Sequence, residues 1–278
     1  MNRLKSLFIS VWNSLLLAGI FRSIYQINNS DYVNAWVLAL IALATPALFF
    51  VWVFTFNVAR TSRAMKAVIG ISSIAFVTAV LTANTTSETL AWLAVSLFGA
   101  ALYEWWYSSF GERDTSFLAI GSTLPAMDFE TADGSMVKTQ DINKPMLMMF
   151  FRGNWCPLCM AQIKEIAAQY QQLADKGVEV ILISPQSHNN TESLAQRFEV
   201  PMTFWIDKKN RMADLLGIKA ENGLPTGLEV LGYDSDTVMP TVIITDANKS
   251  IIYTDLTNDY RIRPEPDAFL EVLQNAGI

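Results

Sequence analysis

The hydrophobic residues of this chain follow two different patterns. Up to about residue 109 they run in long blocks, and the block at 35–57 contains no charged residue over 23 positions. Because an α-helix rises 1.5 Å per residue, such a block crosses a hydrocarbon core of about 30 Å. The blocks at 67–83 and 90–107 have similar character, which predicts an N-terminal all-α membrane domain, 1–110, with three transmembrane helices. The shorter block at 7–21 is a fourth span, an interfacial helix or a signal peptide.

The charges of the loops predict the orientation of these helices. The loop after the block at 35–57 carries Arg60, Arg63 and Lys66 without an acid, whereas the next loop, 84–89, carries only Glu88. Lysine and arginine are retained on the cytoplasmic side. The C-terminal part is therefore predicted to be cytoplasmic, at a bacterial inner membrane, and a periplasmic position is the alternative.

Two features of the apolar blocks predict what surrounds them, namely a proline inside one block and an aromatic run at the end of another. Pro46 lies inside the block at 35–57, and a neighbouring helix can satisfy the carbonyl that this proline frees. The block at 90–107 ends in Tyr103, Trp105, Trp106 and Tyr107. An aromatic run of this kind is typical of a membrane–water interface.

After a linker at 111–120, the remaining residues, 121–278, alternate short strands and helices. The predicted strands are 146–151, 178–184, 202–206, 241–245 and 251–254, and the predicted helices are 157–174, 191–198, 210–216 and 266–274. This order predicts an α/β thioredoxin-like domain, with a central mixed sheet and helices on both faces.

Charge divides the chain in the same way. Residues 1–111 carry six basic and three acidic residues, and 112–278 carry fourteen and twenty-three, which gives +3 and −9. A domain this acidic repels phosphate backbones, so nucleic acid is not an expected partner. Two cysteines and one histidine in 278 residues offer too few ligands for a metal site, and no cofactor is predicted.

The two cysteines, Cys156 and Cys159, carry the candidate chemistry. They follow the apolar strand at 146–151 and open the predicted helix, with Pro157 in its first turn. Cys156 then lies where free backbone N–H groups and the helix dipole favour a thiolate, and Cys159 lies one turn further in. The predicted sequence of events is attack by Cys156 on a disulfide and resolution by Cys159. Two inert buried thiols, or half of a zinc site, are the alternatives.

Three stretches resemble the redoxin group, which includes the alkyl hydroperoxide reductase/thiol-specific antioxidant (peroxiredoxin-like) family and thioredoxin-like thiol–disulfide reductases. They are Gly121-Ser-Thr-Leu-Pro-Ala-Met-Asp-Phe with Ala132-Asp133-Gly134, then Phe151 through Cys159, then Met239-Pro240-Thr241. The resemblance implies a cis-proline at Pro240 facing the cysteines. It also implies that the backbone at Met239 and Thr241 receives the substrate and that Trp155 shields the site.

The same resemblance leaves two chemistries open. The peroxidatic cysteine of typical peroxiredoxins falls on Cys159, while their activating threonine falls on Cys156 and their peroxide-polarising arginine falls near Pro240. The absence of that threonine and arginine favours dithiol exchange over peroxide reduction. Arg152 is a candidate source of positive charge, or else a solvated loop residue.

Other residues received a weaker assignment. Thioredoxins carry a buried acid where this chain has Phe150, so Glu165 is a candidate proton carrier or else part of a solvated helix face. His188 is predicted to lie in a surface loop, and Arg261 and Arg263 match some peroxiredoxin-like sequences without a role that can be assigned.

The sequence thus predicts a membrane-anchored, thiol-dependent oxidoreductase. Its expected partners are a thiol or disulfide protein or a peroxide as substrate, an external thiol reductant and the lipid bilayer. A non-enzymatic redox sensor or interaction module is the alternative from a different class.

Overall fold

The computed structural model describes residues 2–56, 58–82, 85–111 and 116–278, and for Ser62 it describes the backbone alone. The chain forms two compact units, Arg3–Ser109 and Phe110–Ile278. Residues 57, 83 and 84, at the ends of predicted spans or in the loop at 84–89, lie outside the described part, as do 112–115 of the predicted linker.

The first unit consists of four helices. They are α1 (Asn2–Ile27), α2 (Val33–Thr55), α3 (Ser62–Leu81) and α4 (Ser87–Leu102), which continues as a π-helix at Tyr103–Tyr107. In length and composition α1, α2 and Arg63–Leu81 of α3 suffice to cross a membrane. The segment 7–21 is therefore the middle of a 26-residue helix. The α-helical part of α4 has only 16 residues and reaches about 24 Å.

Contacts at both ends show that α1 and α4 run antiparallel. Arg22, near the end of α1, donates to Glu88 at the start of α4 with 2.8 Å between Nε and Oε1. Trp12, nearer the start of α1, donates its indole N–H to the carbonyl of Val95 at 3.1 Å. A Cβ on Gly99 would lie 2.0 Å from the indole nitrogen of Trp12, so only glycine admits this close packing.

The carbonyl freed by Pro46 finds its donor on a neighbouring helix, as predicted. Proline has no N–H, so Ala42, four residues earlier, lacks its helical partner. The buried hydroxyl of Ser96 on α4 donates to the Ala42 carbonyl at 2.6 Å. Since this uses the Ser96 proton, Ser72 on α3 is the donor in the 3.1 Å contact between the two serine hydroxyls. The chain of hydrogen bonds joins α2, α3 and α4.

The aromatic run at the end of α4 is not a uniform interfacial belt. Tyr103 is buried, and its ring lies 5.3 Å from that of Phe50 and 5.8 Å from that of Trp12. Trp105 is exposed. The helical turn decides the difference, because it directs neighbouring residues of one run toward opposite sides.

The second unit is built on a seven-stranded mixed sheet, and its thioredoxin-like α/β fold confirms the predicted fold class. The strands are β1 (Asp128–Thr131), β2 (Met136–Lys138), β3 (Met146–Phe150), β4 (Glu179–Ser184), β5 (Thr203–Ile206), β6 (Lys219–Ala220), β7 (Thr237–Val238), β8 (Thr241–Thr245) and β9 (Ile251–Asp255). The order is β2-β1-β5-β4-β3-β8-β9, and β6 and β7 form a separate pair. Strands β3, β4 and β5 are parallel, and β8 lies antiparallel to β3.

The helices of this unit are α5 (Pro157–Ala168), α6 (Tyr170–Asp175), α7 (His188–Ala195), α8 (Arg211–Leu215) and α9 (Pro266–Asn275). They cover both faces of the sheet, since all five residues of β3 are buried. Met148 packs in one core cluster with Met212 of α8. On the opposite face, Tyr253 of β9 contacts Phe269 of α9, with 6.0 Å between ring centroids.

Several predicted boundaries need correction. The helix expected at 157–174 breaks at Gln169 into α5 and α6, and the helix expected at 191–198 already begins at His188, where the Ser187 hydroxyl accepts from the Asn190 N–H. His188 is thus helical and pairs with Glu130 at 3.1 Å. The short strands β1, β2, β6 and β7 were not predicted, because two to four residues show no readable periodicity.

Candidate active site

The candidate site lies where β3 turns into α5. After β3, the N–H of Phe151 still pairs with the Ile183 carbonyl at 2.9 Å, and the chain then folds back at Gly153, whose φ is +141°. A Cβ at Gly153 would lie 2.8 Å from the indole nitrogen of Trp155. Glycine is therefore required here both by the backbone conformation and by the position of Trp155.

Cys156 is the N-cap residue of α5, with φ −91° and ψ 107°, and Pro157 is the first helical residue. This is the predicted arrangement, and it has a local cause. Proline fixes φ near −65° and lacks the N–H that would have no partner in the first turn, so it favours a helix start at that residue. Cys159 follows one turn later. Both cysteines are free thiols, 3% and 0% exposed.

The two thiols differ strongly in acidity. Burial raises the pKa of Cys156, but a hydrogen bond from the Cys159 thiol, the charges of Arg152 and Arg263, and the backbone N–H of Cys159 outweigh burial and lower the pKa to about 6. For Cys159, burial and the neighbouring Cys156 sulfur raise the pKa well above its ordinary value. At neutral pH the pair therefore consists of an outer thiolate and an inner thiol.

Arg152 lies within the site and is not a solvated loop residue. It is 9% exposed, and its guanidinium carbon lies 4.6 Å from the ring centroid of Trp155 and 5.9 Å from that of Tyr260. Its Nη2 donates to the Gly223 carbonyl. The cation is thus held by aromatic faces and a carbonyl next to the cysteines.

Arg263 is a site residue whose role could not be assigned from the sequence. It is 5% exposed, and its charge favours the thiolate of Cys156. Neighbouring Arg261 is also buried and pairs with Asp259 at 2.7 Å. The match of both arginines to peroxiredoxin-like sequences was a signal, but it did not say that Arg263 acts on a cysteine more than one hundred positions earlier.

The segment before β8 differs from the expectation. Every peptide bond among the described residues is trans, so the prediction of a cis-proline at Pro240 was wrong. X–Pro bonds favour trans by roughly 0.5–1 kcal/mol unless tertiary contacts select cis. Here the N–H of Met239 pairs with the Ile218 carbonyl at 2.7 Å, and the Thr241 hydroxyl donates to the Met239 carbonyl at 2.9 Å. The Met239 N–H expected to receive substrate is therefore occupied.

Thr241 nevertheless lies beside the site, because it pairs with Phe150 in the register of β8 and β3. Glu165 is half-buried on α5 and His188 pairs with Glu130 at the protein surface. The charges that favour the thiolate of Cys156 are those of Arg152 and Arg263.

Further polar residues around Trp155 were not predicted. The Asn154 N–H donates to Oε1 of Gln186 at 2.9 Å, and the Tyr233 hydroxyl donates to the Asn154 side chain. The Tyr233 ring meets Trp155 edge-on, with 6.5 Å between centroids. Tyr233 belongs to the segment 221–236 between β6 and β7, which carries no regular periodicity that could have announced this contact.

This fold and this pair of unequal thiols define the second unit as a thiol-dependent oxidoreductase domain. Residues 120–254 match the model of the AhpC/TSA family. The C-terminal unit is thus similar to the AhpC/TSA family over these residues.

Known relatives divide between two chemistries. Chloroplastic peroxiredoxin Q from Sedum lineare is 25% identical over 124 residues, which cover 44% of this chain and 67% of that protein. Thiol-disulfide oxidoreductase ResA from Oceanobacillus iheyensis is 27% identical over 113 residues, which cover 38% of this chain and 57% of that protein. The crystal structure of peroxidoxin BcpB from Mycobacterium tuberculosis aligns with a TM-score of 0.46 and 14% identity, over 57% of this chain and 97% of that one.

Proposed function

We propose that the protein is a membrane-anchored thiol–disulfide oxidoreductase in which Cys156 attacks and Cys159 resolves. The observation that carries this proposal is the unequal acidity of the two thiols in one turn of α5. The pKa of Cys156 is lowered to about 6, whereas that of Cys159 is raised. A thiolate is the nucleophile of this chemistry, so the outer sulfur reacts first.

The steps balance without a cofactor. The Cys156 thiolate attacks one sulfur of a substrate disulfide, a mixed disulfide forms, and the other substrate sulfur leaves as a thiolate that takes up a proton. Cys159 then loses its proton and attacks the Cys156 sulfur, which expels the second substrate thiol. The protein ends as a Cys156–Cys159 disulfide, the substrate gains two electrons and two protons, and an external dithiol restores the reduced pair.

The surrounding residues support this course by holding charge and excluding water. Arg152 and Arg263 stabilise the attacking thiolate and any thiolate that leaves beside it. Trp155 packs on Arg152. The hydrogen bond between the two sulfurs keeps Cys159 next to Cys156, which favours resolution over release of the mixed disulfide.

Peroxide reduction is the second candidate, because a relative is named a peroxiredoxin. In that case the Cys156 thiolate would attack the peroxide, release water or an alcohol and become a sulfenic acid, which Cys159 would condense to the same disulfide. The expected alternative with Cys159 as peroxidatic cysteine is not favoured, since this sulfur is fully buried and its pKa is raised.

We further propose that the first unit anchors the domain on the cytoplasmic side of a bacterial inner membrane. Arg3 and Lys5 lie in the first turn of α1. Three further basic residues, Arg60, Arg63 and Lys66, follow α2. If all four helices cross, these basic residues and the C-terminal domain share one side, as the positive-inside rule requires of the cytoplasm.

The experiment uses the full chain in detergent, reduced beforehand, with a protein disulfide or a peroxide as oxidant and an excess of external dithiol. We expect Cys156→Ser to abolish turnover with both oxidants. Cys159→Ser should stop after one event and accumulate a mixed disulfide on Cys156, which mass spectrometry detects. Full activity of Cys156→Ser would overturn the assignment and transfer the nucleophile to Cys159. A wild-type protein that reacts once and does not turn over would be a sensor.

A further inference from the structure

The connection between β9 and α9, residues 256–265, serves both arginine charges of the cysteine site. Arg263 belongs to this β9–α9 connection. Tyr260, three residues earlier, is 7% exposed, and its ring centroid lies 5.9 Å from the guanidinium carbon of Arg152. Both arginine charges favour the thiolate of Cys156. The connection therefore carries one of these charges and contacts the other.

Hydrogen bonds within the β9–α9 connection hold its backbone in a turn. The Asp259 carboxylate accepts from the Arg261 N–H at 2.9 Å and pairs with the Arg261 guanidinium at 2.7 Å. The Asp259 carbonyl accepts from the Ile262 N–H at 3.1 Å. Because Arg261 is buried, water screens its ion pair only weakly. Tyr260 lies between the bonded residues, so this turn fixes the place from which its ring extends.

Phe110 contacts the same connection from a distant part of the sequence. It is the first residue of the second unit and directly follows the first unit in the chain. Its N–H donates to the Asn258 carbonyl at 2.7 Å, and its ring centroid lies 6.3 Å from that of Tyr260. Phe110 thus holds the connection at two points, one through the backbone and one through the tyrosine ring.

The contacts to the Arg152 guanidinium are suited to holding a cation without cancelling its charge. Two aromatic rings and a carbonyl lie against it. An aromatic face attracts a guanidinium through the ring quadrupole and adds no negative charge, whereas a carboxylate would oppose the thiolate of Cys156. Two acids line a small cavity together with Arg152, but Asp236 is engaged by Lys219 at 3.2 Å and Asp234 is exposed.

We propose that Tyr260 is a positioning residue that keeps the guanidinium of Arg152 beside Cys156, and that Phe110 holds the ring of Tyr260 in place. Without this ring the guanidinium turns toward water, where the higher dielectric constant weakens its action on the sulfur. The inference rests on the proposed role of Cys156 as the attacking thiolate and names what maintains that thiolate. The segment that joins the thiol domain to the first unit then takes part in the site.

The first test measures the acidity of Cys156 in the reduced full chain in detergent. Alkylation by iodoacetamide is followed against pH, and peptide mass spectrometry identifies the labelled cysteine. Tyr260→Leu removes the ring but keeps an apolar side chain, and we expect the midpoint to rise by at least about half a pH unit. Tyr260→Phe keeps the ring and should keep the midpoint. Tyr253→Leu, the matched control, removes a tyrosine ring that contacts Phe269 of α9 and should leave the midpoint in place.

The second test asks whether Tyr260 acts through Arg152. In an Arg152→Gln background no guanidinium is left to position, so adding Tyr260→Leu should move the midpoint by less than about 0.2 pH unit. A tyrosine that only supports the fold would instead move the midpoint equally in both backgrounds.

The third test addresses Phe110, which is only half-buried and therefore tolerates truncation better than Tyr260. Phe110→Ala removes the ring contact but keeps the backbone N–H for Asn258. We expect the midpoint to rise in the same direction as in Tyr260→Leu. When both changes are combined, Phe110→Ala should add no further rise, because the ring that it holds is already gone.

The outcomes separate this proposal from the proposed function. A wild-type midpoint in Tyr260→Leu, or an equal rise with and without Arg152, overturns the positioning role. If Tyr260→Leu does not fold, an unchanged midpoint in Phe110→Ala overturns it instead. A midpoint near about 8.5 in the wild-type protein, the ordinary value of a cysteine, would contradict the acidic Cys156 on which the thiol–disulfide exchange itself rests.

Discussion

Cys156 and Cys159 are three residues apart, yet their surroundings give them opposite properties. Burial acts on both and opposes the thiolate. Cys156 receives a hydrogen bond from its partner thiol and the favourable charges of Arg152 and Arg263, and Arg263 also favours the thiolate of Cys159. Because Cys159 faces a neighbouring thiolate, its own ionisation is suppressed. The proposed order of attack and resolution rests on this asymmetry.

Alkylation of the reduced protein by iodoacetamide should reveal the acidic thiol. Only the thiolate reacts, so a lowered pKa moves the rise in rate to lower pH. We expect a midpoint near pH 6, in contrast to about 8.5 for an ordinary cysteine. Arg263→Gln should move the midpoint up by about one pH unit, since it removes a favourable charge.

Two variants control for the loss of Arg263. Arg263→Lys keeps the charge and should restore a low midpoint. Arg211→Gln removes an equal charge from an exposed ion pair with Asp128 and should leave the midpoint in place. A midpoint in Arg263→Gln equal to that of the wild type would show that Arg263 does not act on Cys156.

At the scale of elements, the helices of the first unit are joined by polar contacts. These form where a backbone carbonyl has no hydrogen-bond donor within its own helix. The proline of α2 leaves the Ala42 carbonyl without its helical donor, and Ser96 of α4 supplies one at 2.6 Å. Between apolar helices in lipid, water cannot replace such a donor. The contact therefore fixes α4 against α2 at that level.

A double-mutant cycle on Pro46 and Ser96 tests this contact. Ser96→Ala should destabilise the first unit by about 1 kcal/mol, within the range measured for hydrogen bonds between membrane helices. In the Pro46→Ala background the helix can use its own N–H, so the same change should cost less. Unfolding of the full chain in detergent by added SDS, followed by helical circular dichroism, measures both. Equal costs in the two backgrounds would contradict the link.

At the scale of the whole molecule, the number of spanning helices decides which side of the membrane the thiols occupy. The length of α1 and its antiparallel pairing with α4 favour four crossings. An even number returns the chain to the side on which it started. In the proposed topology the basic residues after α2 lie on that side as well, and the positive-inside rule would make it the cytoplasm.

Reporter fusions test this topology. Alkaline phosphatase, which works only outside the cytoplasm, should be active when fused after Ser30, between α1 and α2, and inactive after Ile278. A fluorescent reporter that folds in the cytoplasm should give the reverse pattern. Phosphatase activity after Ile278 would place the thiols on the periplasmic side, and inactivity at both positions would mean that one of α2, α3 and α4 does not cross.

Features with a local cause could be predicted from the amino-acid sequence. The long apolar blocks predicted α2, α3 and α4, and short apolar runs predicted the buried strands β3, β4 and β8. Pro157 after Cys156 predicted a dithiol at a helix start. These predictions succeed because the length of an apolar run, the helical period and the geometry of proline each determine the conformation of a few neighbouring residues.

The remaining features arise from long-range contacts in the folded chain. These contacts brought Arg263 to Cys156 and Gln186 to Asn154, made the Met239–Pro240 bond trans, and turned Tyr103 inward while Trp105 stayed outside. Contacts between residues thirty to more than one hundred positions apart depend on how strands and helices pack, and no local pattern records them. For the same physical reason, the two cysteines could be recognised in the sequence, but the charges that favour a thiolate on one of them could not.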